Sequence, residues 1–78
     1  MKITFSEGDI IATQYEVVVR LKNSSRTTMQ AEVDALTLIG GANVISAVGS
    51  GMKWSLKLDD EIQLKQLSQE IGIAIEFY

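Results

Sequence analysis

Apolar and polar residues alternate with a period of two along most of this chain, the mark of strands with one face buried and the other in water. Over residues 15–22, Tyr15, Val17, Val19 and Leu21 share one face, while Glu16, Arg20 and Lys22 take the other. Residues 52–58 repeat the pattern, with Met52, Trp54, Leu56 and Leu58 inward and Lys53, Ser55 and Lys57 outward. The first strand ends at Asn23-Ser24-Ser25-Arg26, where short polar side chains can bond their own backbone and turn the chain. Upstream, Ile3 and Phe5 alternate with Lys2, Thr4 and Ser6, and Glu7-Gly8-Asp9 predicts a hairpin turn into a strand through Ile10-Ile11-Ala12. Because Ile11, Thr13 and Tyr15 stay in phase, a long bent strand and two short ones broken near Thr13-Gln14 read alike.

Residues 27–39 carry two patterns. Met29, Ala31, Val33 and Ala35 alternate, and then Leu36 and Leu38 continue one residue out of phase. A slip of one moves every side chain to the opposite face, so a strand here requires a bulge or turn near Asp34-Ala35. The rival is a helix capped by Thr27 or Thr28 and stopped at Gly40-Gly41. The β-branched residues Thr27, Thr28, Val33, Thr37 and Ile39 favour strand. Another apolar run covers Asn43 to Val48, and Gly49-Ser50-Gly51 links it as a hairpin to the strand of Trp54. One helix is predicted, over residues 60–71. Asp59 or Asp60 caps it, Asp60 with Gln63 resembles a capping box, and the acids at its start face the positive end of the helix dipole. Leu64, Leu67 and Ile71 form its apolar stripe, Ile62 falls on the opposite side, and Gly72 ends it as a C-cap. Ile73, Ile75 and Phe77 alternate as a closing strand. The pattern predicts an α+β fold: a curved antiparallel sheet of about six strands, with the helix of residues 60–71 packed across it, in a single domain spanning residues 1–78.

Composition narrows the chemistry. The 78 residues contain no cysteine, no histidine and no proline. Disulfides, cysteine zinc sites, imidazole ligands and an imidazole base are thereby excluded. A domain of this size has a modest core and lacks the usual staples, which leaves good packing, oligomerisation or both. Ten acids against seven bases give a net charge of −3, a poor balance for neutralising phosphates, so nucleic acid is not an expected partner. Met1 to Asp9 lacks the apolar run of a signal peptide and no stretch approaches the ~20 apolar residues that span a bilayer, so a cytoplasmic, membrane-free protein is expected.

No motif supplies the missing chemistry. Gly49-Ser50-Gly51-Met52-Lys53 invites a phosphate-loop reading, but Lys53 stands two residues past the glycine, Trp54 separates it from Ser55, and a strand follows where the loop would open a helix. Asp59-Asp60-Glu61 lacks the interleaved spacing of a calcium loop and is read as a helix start. Serine nucleophiles have no histidine to activate them, and no Gly-x-Ser-x-Gly arrangement exists. The expectation is therefore no enzyme, no cofactor, no catalytic residue and no metal ligand, with a carboxylate pair meeting in space, and in principle a lysine nucleophile or Ser–Lys pair, as the catalytic routes left open. Arg20, Lys22, Lys53 and Lys57 lie on the outward faces of the two clearest strands. If those strands were neighbours, the four would make a basic face for an acidic partner or an anionic ligand; otherwise they are solvated outward positions, with lysine discouraging edge pairing. Trp54 is read as core or subunit interface, and Phe77-Tyr78 as closing the core or docking on a neighbouring subunit. The expected role is a non-enzymatic interaction or assembly module, with a homo-oligomer or another protein as partner. The alternative is a small-ligand or anion-binding domain.

The strings Gly8-Asp9-Ile10-Ile11-Ala12-Thr13, Gly41-Ala42-Asn43-Val44 and Lys53-Trp54-Ser55-Leu56-Lys57-Leu58-Asp59 resemble a small bacterial domain-of-unknown-function family whose members consist of little else. That resemblance spans essentially the whole chain, implies a stand-alone bacterial protein and transfers no catalytic residue. More loosely, a meander of strands ended by one helix is similar to pleckstrin-homology-like domains, from which a strand after the helix would depart.

Overall fold

Alternation in the first third of the chain builds a four-stranded antiparallel meander. Its strands are β1 (Lys2–Phe5), β2 (Gly8–Ala12), β3 (Glu16–Leu21) and β4 (Thr28–Glu32), hydrogen-bonded in chain order. The structure is a computed structural model that describes residues 1–24, 26–49 and 51–77. Register sets Ile3 against Ile10, Ile10 against Val19 and Val19 against Met29, so one face of the sheet is continuously apolar. The first hairpin turns at Ser6-Glu7, one residue earlier than Glu7-Gly8-Asp9 suggested, and Gly8 already belongs to β2. Glycine is needed there for space, since a Cβ at Gly8 would collide with the backbone carbonyl of Arg20.

The ambiguous stretch around Thr13-Gln14 is a break between two strands. The hydroxyl of Thr13 accepts from the backbone N–H of Tyr15 at 3.1 Å and of Glu16 at 3.2 Å, which turns the chain before β3 begins. Tyr15 therefore leaves the core face and is 79% exposed, although its phase placed it with Val17. After β3, the side-chain oxygen of Asn23 accepts from the N–H of Thr27 at 2.9 Å and so closes the next turn. Ser25 of the predicted turn lies outside the described residues.

Residues 27–39 form strands, and the slip in phase is where the architecture divides. β4 ends at Glu32, one 3₁₀ turn covers Val33–Ala35, and β5 (Leu36–Gly40) starts in the opposite phase. The turn carries the chain out of the first sheet into a second, with β6 (Val44–Gly49) and β7 (Met52–Lys57) following as antiparallel neighbours. Ser50, within the predicted hairpin link, lies outside the described residues. The single sheet of about six strands is thus two sheets of four, ordered β1-β2-β3-β4 and β7-β6-β5-β8.

Helix α1 (Glu61–Ile71) begins as expected, with the Asp60 carboxylate accepting from the N–H of Gln63 at 2.9 Å. It ends at Gly72, whose φ of 74° is the left-handed C-cap conformation. β8 (Ile75–Phe77) then pairs with β5 in parallel, setting Leu38 against Ile75 and Gly40 against Phe77. The all-antiparallel expectation fails at this strand, because the helix acts as the long connection that a parallel pair needs. The apolar faces of both sheets and the stripe Leu64, Leu67 and Ile71 share one core, in which Ile10, Val19, Leu38, Ile45 and Leu64 are fully buried. No charged or polar side chain among the described residues is buried with them. α+β, mostly sheet with one C-terminal helix, describes the whole.

Candidate functional site

Outward strand positions place Arg20, Lys22, Lys53 and Lys57 in water, and all four are exposed. The strands that bear them are not neighbours. β3 lies between β2 and β4, whereas β7 borders only β6 in the other sheet. Arg20 sits between Asp9 and Thr28 on its own sheet, while Lys53 and Lys57 face Val48 and Val44 across the β6–β7 ladder. Lys22 and Lys57 do approach the same feature from two sides. One shallow cleft joins Ser6, Glu7, Leu21, Lys22 and Asn23, and another joins Ser6, Glu7, Leu56, Lys57, Leu58 and Asp59. Each cleft pairs its lysine with at least one carboxylate, so neither is a purely cationic cradle for an anion.

The Ser6-Glu7 turn is fastened to the start of α1. The Asp59 carboxylate accepts from the backbone N–H of Ser6 at 2.8 Å and also from its hydroxyl. The Gln63 side chain donates to the carbonyl of Thr4 at 3.3 Å and accepts from the N–H of Asp59 at 3.0 Å. The hydroxyl of Ser6 chiefly, with its N–H and Gln63 helping against partial desolvation, holds the Asp59 carboxyl below its ordinary value of 3.8. The acids 59–61 therefore serve as cap and clamp. Among the described residues, no three acids converge as a metal site would require.

That clamp also occupies the free side of β1. The other outermost strands differ in length: β4 has five residues, β7 six and β8 three. Among the described residues, nothing pairs with the outer sides of β4 and β7, leaving rows of backbone donors and acceptors in water. β7 is the more apolar of the two. Met52, Trp54 and Leu56 on its inner face are all half-buried against the core. The indole N–H of Trp54 is itself buried and has no hydrogen-bond partner, an arrangement that costs about 1–3 kcal/mol. Phe77, 65% exposed, lies over Gly40, where a Cβ would overlap its ring. Tyr78 lies outside the described residues.

The sequence reading missed the acidic counterpart of these lysines. Glu16 and Glu32 stand directly opposite each other across β3 and β4, a like-charge pairing that disfavours the sheet. Gln30 relieves it in part by donating to the Glu16 carboxylate at 2.6 Å. The same end of the sheet forms an open cleft of Gln14, Tyr15, Glu16, Glu32, Val33 and Asp34. Its only sequence trace was the Glu32–Asp34 run, because the meeting of Glu16 with Glu32 depends on a register fixed by Val17, Val19 and Ala31 on the other face.

No helix among the described residues is long and apolar enough to cross a membrane. Compared with known proteins, residues 1–75 match the model of a family described as a protein of unknown function, DUF3389. No curated protein and no solved structure matches.

Proposed function

The chain belongs to the DUF3389 family of proteins of unknown function, and from that premise we propose that it is a non-enzymatic assembly module that associates with its own kind through open sheet edges. The observation that carries this reading is the edge of β7: six residues without proline whose outer side pairs with nothing among the described residues, backed by three half-buried apolar side chains. Covering that edge would pair the strand and bury more of Met52, Trp54 and Leu56. Support for a non-catalytic role is that none of the described acids or lysines is buried, whereas acid–base chemistry relies on desolvated groups with displaced pKa values. We take its place of work to be the bacterial cytoplasm, which fractionation of expressing cells checks against membrane and exported fractions.

Light scattering over a dilution series, read beside the emission of Trp54, tests the assembly. As the only tryptophan, it reports on its own strand. The expected outcome is a mass above that of one chain at high concentration, falling on dilution together with a red shift of the emission. A single-chain mass at every concentration, with constant emission, overturns the reading.

A further inference from the structure

The two long open edges of this molecule complement each other in charge and in phase. On β4 the outward side chains are Thr28, Gln30 and Glu32, and the inward ones Met29 and Ala31; on β7 they are Lys53, Ser55 and Lys57, with Met52, Trp54 and Leu56 inward. An antiparallel pairing of β4 with β7 of a second copy that sets Gln30 against Ser55 matches five positions and keeps both alternations in phase. Glu32 then meets Lys53, Thr28 meets Lys57, Met29 meets Leu56, and the small Ala31 lies opposite the large Trp54. Opposite charges and apolar partners facing across a ladder stabilise it, and like charges weaken it.

Self-pairing of β7 is the competing arrangement. Centred on Ser55, it sets Lys53 against Lys57 twice, cation against cation. Centred on Trp54, it leaves Lys57 beyond the paired stretch. The β4 edge offers a positive charge what β7 cannot, because Glu32 already faces Glu16 within its own sheet, so a lysine arriving there relieves an existing repulsion.

We propose that a second copy of this chain docks its β7 edge on the β4 edge, continuing the sheet from molecule to molecule in a head-to-tail contact. This rests on the assembly reading above and names its partner and register. Such a contact is heterologous: it closes into a ring or grows into a filament according to the rotation between neighbours, and it leaves a two-fold dimer as the rejected case. Lys53 and Lys57 thereby act as selectors, blocking one self-pairing register of β7 while admitting the acidic edge.

The chain has no cysteine, so single introduced thiols report the contact cleanly. Under mild oxidation, Q30C and S55C chains mixed together are expected to form mixed disulfide-linked dimers, while each alone stays largely monomeric on a non-reducing gel. Charge reversal gives an independent reading. E32K and K53E should each weaken association about fivefold, an equimolar mixture of the two should regain it, and K57E, facing Thr28, should lose less than K53E. Self-linked S55C without mixed links, or charge-reversed chains that associate as the parent does, overturns the head-to-tail register and leaves the assembly reading standing. Absence of association in the parent chain overturns both.

Discussion

The carboxylate of Asp59 accepts two bonds from Ser6, and each is stronger when the carboxyl is ionised. Folding lowers its pKa from 3.8, so its contribution to stability is complete above that value and is lost as pH falls through the lower folded one. The stability gap between the parent and Asp59→Asn should therefore shrink on acidification from about pH 5 to about pH 2, as urea midpoints at each pH would record. A gap that does not change with pH would show that the loop is held by other contacts. Tyr15 illustrates what a single residue's phase cannot convey. Alternation placed it inward with Val17 and Val19, but the hydroxyl of Thr13 captures two backbone N–H groups and ends the alternation one residue too soon. Hydrogen-bond geometry of one small side chain outweighed the apolar preference of a large one, and no count of apolar positions contains that information.

Elements whose causes are local were legible in full. Cap, apolar stripe and terminal glycine of α1 all lie within its own sequence, and the structure departs by a single residue at the start. The stripe is also the energetic part. Leu67 is completely buried, whereas Ile62 is 67% exposed on the solvent side. Leu67→Ala should cost about 2–5 kcal/mol and Ile62→Gln less than about 0.5 kcal/mol, measured as differences in urea unfolding free energy. The slip between Ala35 and Leu36 was legible as a required break but not as a change of sheet, since alternation states which face a residue takes and not which strand lies beside it. The same limit applied to Arg20, Lys22, Lys53 and Lys57. Their exposure followed from alternation, but their distribution over two sheets was decided by pairings between strands far apart in sequence.

At the scale of the whole molecule, both sheets and the helix feed one core, in which no polar or charged residue among those described is buried. They should lose structure together. Trp54 emission, which reports the second sheet, and far-ultraviolet circular dichroism, which reports both sheets and the helix, are expected to give coincident urea transitions, with a slope of about 1 kcal/mol/M for a chain this short. Separated midpoints would mean that the sheets are independent units. One pairing differs in kind from the rest. Seven of the strands meet chain neighbours through short turns, but β8 reaches β5 by setting Ile75 beside Leu38 across the whole of β6, β7 and α1. Closing so long a loop for three paired positions brings little return for its entropy, so β8 docks late during folding and is the first strand to fray. Each such opening bares the flank of β5 from Leu38 to Gly40, and the released Ile75–Phe77 segment is as well suited to the vacated slot of a neighbouring molecule as to its own. The parallel strand thus makes this chain a candidate for reciprocal strand exchange at high concentration, a slow route to entangled dimers distinct from edge-to-edge docking.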